Sequence, residues 1–552
     1  MRTSTSRFLP FVPVSPKNTS RLVAALAALA CAGVAIWLFA VRNVRYDKTP
    51  SAPSYDTNSA HGASFTSFAG QVANCDVLVT GGTPAGVAAA LAAARRGANV
   101  VLVEPREKMG GDIVYAMLNM FDVPVRPGEA SPVHGIFAEF YDQLGLSCDI
   151  DKAERLFGAA LAAEPSLRVY NRTRALSVLK EGDAVVGAVL RSAEGKDYEL
   201  RARVVIDATN DASFAARAGA GYYLGRENAN RDKRMQSAGL LFSVSGVDWN
   251  KVRFYVRGKR PMRAGEKSGE KVVAPKARPV GNDRTSKPAT KPQVWLRLGG
   301  VHGNYAWERG DIVKRYKPRG GNIIPLSINF GRQSDGTVVL NTINIVGVNG
   351  LDPVSAQRAH REASAELPRF INYLRRAMPG FEKARLAQIA PELYIRETRH
   401  IHGYYSLKVS DIRAETRFFD RIAFASYPLD LHPYVKGQLN PFGARRYYYT
   451  LPLRSLVPRG VNNVFVASRS LSATYSAAGS ARVIPITMAA GEAAGAAAWV
   501  CVRDSVTPHA LMDNSKLVRK LQDSLRAWGC DIGDVYPTPQ QRTKEKEDRP
   551  TA

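Results

Sequence analysis

Apolar and polar positions alternate with different periods along the chain, and the changes of period mark its elements. Residues 75–80, CDVLVT, are a short apolar run with valine at alternate positions, which predicts a strand. An alanine-rich stretch over 84–96 suits a helix, and 100–103, VVLV, reads as a second buried strand. Residues 112–165 are mostly helical in pattern, with amphipathic stretches at 134–141 and 153–163. Strand-like runs over 167–190 flank the turn Glu181-Gly182-Asp183, and 203–209, RVVIDAT, is another buried strand. Strand alternation returns at 320–350. Residues 355–376 form an amphipathic helix that Pro379-Gly380 stops. Aromatic-rich strands and turns fill 403–460. A buried strand over 464–469 then leads through a polar turn into a predicted helix over 482–500.

Between the first strand and the first helix stand Gly81, Gly82 and Gly86. A strand, a glycine turn, a helix and a second strand make the βαβ opening of a dinucleotide-binding domain. Glycines there let the backbone approach a pyrophosphate, whose charge sits at the positive end of the helix. Glu104 closes the second strand, about 20 residues on, where an acid accepts hydrogen bonds from a ribose. Thr83 occupies the place of the second fingerprint glycine. This stretch alone suits NAD or FAD.

Residues 22–41, LVAALAALACAGVAIWLFAV, carry no charge. The run is about long enough to cross ~30 Å of hydrocarbon, with Trp37 placed as an interfacial anchor. It exceeds the usual apolar core of a signal peptide, which favours a retained transmembrane helix over a cleaved leader. The balance of Lys and Arg leans toward the large domain lying outside the cytoplasm. A linker over 42–71 follows. Asn171-Arg172-Thr173 has the form of a glycosylation sequon and is read as a chance match within the nucleotide domain.

The formal net charge of +27 changes the picture little. No zinc-finger or RNA-recognition pattern accompanies it, so no nucleic-acid partner is expected. Much of the charge lies in residues 251–293, rich in Lys, Arg, Pro and Gly, which read as a solvated, disordered insertion. The tail 537–552 has a similar reading. The five cysteines have no metal or redox spacing and read as free thiols. No metal is expected: His400 and His402 would share a strand face but lack further ligands.

The chain resembles the FAD-dependent oxidoreductases with a glutathione-reductase-like nucleotide fold, and within them the branch some of whose members are called xanthan-lyase-related. Four stretches carry the likeness: Gly81-Gly82-Thr83-Pro84-Ala85-Gly86 with Glu104; Met109-Gly110-Gly111; Ile206-Asp207-Ala208-Thr209-Asn210-Asp211, with Asn210 in place of a glycine; and Ala467-Ser468-Arg469 through Gly479-Ser480-Ala481-Arg482 to Gly491-Glu492-Ala493-Ala494-Gly495. The resemblance implies an α/β architecture. A Rossmann-like FAD domain would come from about 72–120, 165–226 and 455–530, with an interleaved α+β substrate domain between.

By the same resemblance, Gly81, Gly82, Pro84, Ala85, Gly86, Gly110 and Gly111 surround the pyrophosphate of FAD. Glu104 holds the adenosine ribose with Arg106 beside it. Ala208 and Thr209 line the adenosine side, and Arg469, Ser480 and Arg482 lie near the ribityl chain and the flavin. The segment 395–404 resembles a recurrent RETRxIxGxY stretch. Within it Arg396 and Glu397 are expected to form a structural ion pair, and Arg399 and His402 are the candidate catalytic residues. The expected reaction is two-electron (hydride) transfer between a small organic substrate and flavin N5. A structural flavoprotein in a membrane-associated or polysaccharide-processing assembly, and a non-redox flavoenzyme, are the alternatives. The substrate and the electron acceptor stay open.

Overall fold

The computed structural model describes residues 65–70, 73–124, 133–256, 294–295, 305–308 and 311–534. The apolar run 22–41, most of the basic segment 251–293 and the tail 537–552 lie outside them.

Val/Ile-rich runs buried on both faces build the first sheet. Its strands are β1 (Asn74–Thr80), β2 (Val100–Val103), β3 (Leu167–Tyr170), β4 (Arg174–Glu181), β5 (Ala184–Arg191) and β6 (Asp197–Asp207), in the order β3-β2-β1-β6-β5-β4. The last of the sheet's strands in sequence, Val464–Val466, pairs with β6 across some 260 residues of chain. β1 runs parallel to β2 and β6, whereas β4, β5 and β6 form an antiparallel meander. The meander turns at Gly182, whose φ of 61° a glycine adopts without strain.

The register decides where a ligand can sit. Thr80 stands beside Val103 and beside Asp207, and Asp207 beside Val466. The carboxyl ends of these parallel strands are therefore level. The segments that follow them, from Gly81, Glu104, Ala208 and Ala467, all emerge on one edge, where open α/β sheets bind ligands.

Two small-residue helices pack over this sheet. Pro84–Arg95 is buried along nearly all its length, and Ile484–Asp504 lies against it. Gly491 and Gly495 allow the approach: a Cβ on either would fall 2.1 Å from Ala85 O or 2.2 Å from Ala89 O. Ile484–Asp504 is also the one helix among the described residues long and apolar enough to cross a membrane. Its window is 83% buried within the fold, which makes it a core helix. The helix predicted over 482–500 appears as one helix, Ile484–Asp504, and a separate short helix precedes it. Tyr475–Ala481 ends before Arg482, and a new helix begins at Ile484 with Pro485 in its first turn, where a missing N–H costs nothing.

The second sheet is antiparallel. It adds β8 (Ala238–Ser245), β9 (Val294–Trp295), β10 (Tyr305–Glu308), β11 (Ile323–Arg332), β12 (Val338–Ile345) and β13 (Arg385–Ile389), ordered β13-β8-β12-β11-β10-β9. The predicted helix appears as Pro353–Ala377, with Asp352 accepting the Val354 amide as its cap. Ala359, Ala363, Leu367, Phe370 and Leu374 form its buried stripe over the sheet. The basic segment read as starting at 251 starts later. Its first residues close the helix Trp249–Val256, because Trp249 and Val252, three apart on one face, enter this core. Two short pairs complete the fold: β7 (Tyr222–Leu224) with β14 (Arg399–Ile401), and β15 (Arg421–Ala425) with β16 (Tyr449–Pro452).

Cys75, Cys148 and Cys501 are free and buried, and burial pushes each thiol up to about 12. The sequon residue Asn171 is buried and donates to Glu107 O at 2.7 Å.

Candidate functional site

At the level strand ends lies a cleft of about 690 Å³. Its inner wall is built from Gly81, Thr83, Glu104, Arg106, Asp112, Thr209, Asp211 and Arg469. Its outer wall carries His360 and Arg361 from the Pro353–Ala377 helix, with Glu392 opposite. The volume lies within the ordinary range for a cofactor site.

The opening turn has a definite local logic. Gly81 has a φ of 99°, and a Cβ there would sit 2.8 Å from Thr209 N. A Cβ on Gly86 would fall 1.9 Å from Gly81 O, so the helix can approach the turn only without one. Thr83 is the N-cap of the first helix: its hydroxyl oxygen accepts from Gly86 N at 3.1 Å and donates to Ala208 O at 2.8 Å. One hydroxyl thus caps the helix and ties it to the end of β6, which a glycine at this position would not do. No acidic residue stands in the first helical turn, so its positive end stays open to an anion.

Of the five glycines predicted to surround a pyrophosphate, Gly81 lines the cleft; the other four make the turn compact. Gly110 N donates to Gly82 O at 2.7 Å, and a Cβ on Gly82 would meet the Met109 sulfur. Gly110 and Gly111 both have positive φ. Pro84 and Ala85 line a narrow inner pocket of about 20 Å³ beyond the cleft.

Glu104 is 1% exposed. Its Oε2 accepts from Gly82 N at 2.6 Å, and its Oε1 accepts from Arg106 N and Nε at 3.0 and 2.7 Å. A carboxylate has about four acceptor positions, so Oε2 keeps one for a ligand hydroxyl. Arg106 lies over the Tyr115 ring and also reaches Glu392.

Asp207 ends β6. It accepts from Thr209 N, the Thr209 hydroxyl and Ala215 N at 2.6–2.9 Å, while burial pushes its carboxyl up. The backbone beyond it turns through Ala212, with a φ of 48°, and not through Asn210. Asn210 in place of glycine is thereby accommodated: the left-handed residue stands two places later. Ala208 is buried and Thr209 lines the cleft.

Arg469 is nearly buried between two carboxylates, Asp112 at 3.0 Å and Asp211 at 3.2 Å. Burial raises the Asp112 carboxyl, and Arg469 and Arg106 oppose that rise. Arg482 lines the inner pocket and donates to Tyr394 Oη and Asp430 at 2.9 and 3.0 Å. Ser480 does not reach either cavity: it is fully buried, bonded to Tyr449 Oη and Tyr427 O.

The predicted Arg396–Glu397 ion pair is not formed. Glu397 accepts from His400 Nε2 and from Gln236 N, each at 2.9 Å. Arg396 points the other way, donates to Ser237 O at 2.7 Å and stacks on Tyr394. Adjacent residues in extended backbone face opposite sides, which separates them. Arg399 and His402 line neither cavity. Arg399 donates to Asp211 O and lies over the Tyr222 ring, while the His402 ring lies tilted against Tyr223 at 4.1 Å.

Pattern reading passed over Asp112, Asp211, Tyr394, Asp430 and His432. The first two adjoin glycine and IDATND motifs and were findable there. Residues 427–432, YPLDLH, have no period to announce them. Among the described residues no group of His, Cys, Asp and Glu is arranged to hold a metal ion.

These residues fit FAD. The open helix end and the turn suit a pyrophosphate, Oε2 of Glu104 a ribose hydroxyl, and the unpartnered buried Nε of Arg469 an acceptor in the cleft. A family model described as FAD dependent oxidoreductase matches residues 76–525. Over 156 residues the chain is 31% identical to a digeranylgeranylglycerophospholipid reductase of Picrophilus torridus, the match covering 24% of this chain and 39% of the relative. It is 33% identical over 165 residues to the enzyme of that name from Methanoculleus marisnigri, covering 26% and 41%. The chain thus spans about two fifths of the length of these curated relatives. Among solved structures it is similar to a geranylgeranyl bacteriochlorophyll reductase-like protein of Thermoplasma acidophilum, at 15% identity over 83% of this chain and 84% of that one, with a TM-score of 0.39.

Proposed function

The chain belongs to the FAD dependent oxidoreductase family, and from that premise we propose that it is a membrane-anchored enzyme moving two electrons, as hydride, between a small organic substrate and FAD. The observation that carries this reading is the cleft at the level strand ends, with an open helix terminus and Glu104 on its inner wall. The FAD domain is read as about 72–120, 165–226 and 455–530, the substrate domain as the chain between. The run 22–41 supports the anchor by its length and lack of charge. The curated relatives are named as reductases, and their match covers about a quarter of this chain; it supports a redox activity and leaves the substrate open.

FAD, when bound, supplies the hydride chemistry at its N5. The residues of the chain bind and orient it. Gly81 and the amides of the first helical turn would meet the pyrophosphate, and Glu104 with Arg106 the adenosine ribose. Arg469 is held by Asp112 and Asp211 so that its guanidinium keeps one position. Arg482 and the start of the Ile484–Asp504 helix bring positive potential to the inner pocket, which favours negative charge there.

The test is direct. Full-length chain is purified in detergent, and its visible spectrum and the nucleotide released on denaturation are recorded. Flavin bands with stoichiometric FAD are the expected result, followed by anaerobic bleaching with a substrate. A colourless protein that releases no FAD overturns the proposal.

A further inference from the structure

The inner pocket holds a guanidinium without a direct carboxylate partner. Three guanidinium groups line it, those of Arg396, Arg469 and Arg482. Two have carboxylate partners: Arg469 has Asp112 and Asp211, and Arg482 has Asp430. Arg396 is 3% exposed, and among the described residues no carboxylate lies within ion-pair distance of it. Its guanidinium donates to the Ser237 carbonyl and rests 4.7 Å above the Tyr394 ring. Neither contact neutralises a full charge. Asp430 and Asp122 act on it only at longer range, and Asp430 already serves Arg482 and His432. A buried, uncompensated cation is costly unless an anion joins it.

Orphaned donors belong to residues that line this pocket. Arg396 Nε and Arg482 Nε are buried without a hydrogen-bond partner. Gln236 Nε2 and Ser237 Oγ, in the segment that gives Arg396 its carbonyl contact, are also without partners, and neither residue lines the pocket. Gln236 is tied to the same cluster through His432 N, which donates to its Oε1 at 3.0 Å. Buried polar atoms are nearly always satisfied, and a cluster of unsatisfied ones points to a group that completes them.

We propose that Arg396, with Arg482 beside it, is the receptor for a carboxylate borne by the substrate. This rests on the reading of the adjoining cleft as the FAD site. Beside Asp112, Asp211 and Asp430 a monoanion adds less buried negative charge than a phosphate dianion. A guanidinium edge presents parallel N–H groups that fit the two oxygens of a carboxylate. The enzyme therefore acts on a carboxylic acid, anchored at Arg396, and Arg396 is a binding residue.

Acetate is the probe, with inorganic phosphate and chloride compared at equal ionic strength. The full-length, detergent-solubilised protein is examined as wild type, Arg396→Met and Arg396→Lys. Three quantities are read: FAD content, the flavin absorption band and Tm. Acetate is expected to raise the Tm of the wild type saturably, by ~1–3 °C, and to shift the flavin band. Arg396→Met should need at least tenfold more acetate for either effect, with FAD content unchanged. Arg396→Lys keeps the charge without the planar fork and should fall between, which decides the matter if the methionine variant does not fold. Equal responses to acetate and chloride, equal responses in all three proteins, or tighter binding of phosphate than acetate would overturn the proposal. Loss of FAD from Arg396→Lys, with an unchanged acetate effect, would assign the guanidinium to the cofactor instead and overturn it too. Absence of flavin from every preparation defeats the proposed function separately, because the Tm response to acetate still reads the anion site.

Discussion

Glu104 Oε2 accepts the Gly82 amide at 2.6 Å, so the acid that closes β2 holds the glycine turn that follows β1. The two halves of the nucleotide-binding unit are locked before any ligand arrives. Glu104 accordingly has two duties: it shapes the turn and offers one remaining acceptor position to a ribose.

Replacing it by Glu104→Gln should therefore cost stability as well as cofactor. The amide leaves Arg106 without its buried partner, and breaking such a pair costs about 3–5 kcal/mol when both members are buried. Arg106 is about a quarter exposed, so ~1–2 kcal/mol is the expected loss. Urea denaturation and FAD retention on gel filtration measure the two effects, and both should fall.

Thr83 separates the two roles of the fingerprint. Thr83→Ala removes the helix cap and the 2.8 Å bond to Ala208 O, and should lower stability by about 1–2 kcal/mol. Thr83→Ser keeps both and should stay near wild type. Thr83→Gly restores the commoner fingerprint residue yet loses the hydroxyl. Glycine is tolerated at a helix cap better than alanine, so this variant should fall between the wild type and the alanine variant, which a thermal melt can show.

Close packing between the helices Pro84–Arg95 and Ile484–Asp504 depends on Gly491. A methyl group there would meet Ala85 O at 2.1 Å, against backbone that cannot swing aside. Gly491→Ala should destabilise by about 1–3 kcal/mol or more and release FAD, since the same contact sets the helix end over the inner pocket. Gly321→Ala, with nothing within 4 Å, is the control and should change stability by less than about 0.5 kcal/mol. Equal effects of the two would refute this account.

His432 sets a pH dependence. Burial, with the charge of Arg396, lowers its imidazole from 6.5 to about 4, although Asp430 pulls the other way. A histidine depressed in the folded state contributes stability that is complete above its unfolded value. That stability is lost as pH falls from about 6.5 through about 4, because the unfolded chain takes up the proton first. The slope is at most ~1.4 kcal/mol per pH unit. Buried acids with raised carboxyls, Asp112 and Asp207 among them, have the opposite sign. The difference between wild type and His432→Gln isolates the histidine: the variant should lose less stability between pH 6.5 and 4. Parallel curves would exclude the assignment.

The opening βαβ unit, the meander turning at Gly182, the helix Pro353–Ala377 and the segments that carry the family resemblance were legible along the chain. Each depends on neighbours one to four residues apart, so its period is written in order. The acid at the end of β2 was legible for the same reason: its distance from the glycine turn is set by one helix and one short strand.

What the tertiary structure decided is partnership. The order of residues puts Arg396 next to Glu397, yet folding gives Glu397 to Gln236 and His400, and Arg396 to Ser237, 159 residues away. It moves the left-handed residue from Asn210 to Ala212, and withdraws Ser480, Arg399 and His402 from the cavities. A local pattern determines which face of an element is buried. It does not determine which charge arrives from another element to meet it, because that depends on how the sheets and helices close around the pocket. The sequence by itself therefore determined the handle for the cofactor, and the fold decided that one buried guanidinium beside it was left without an anion.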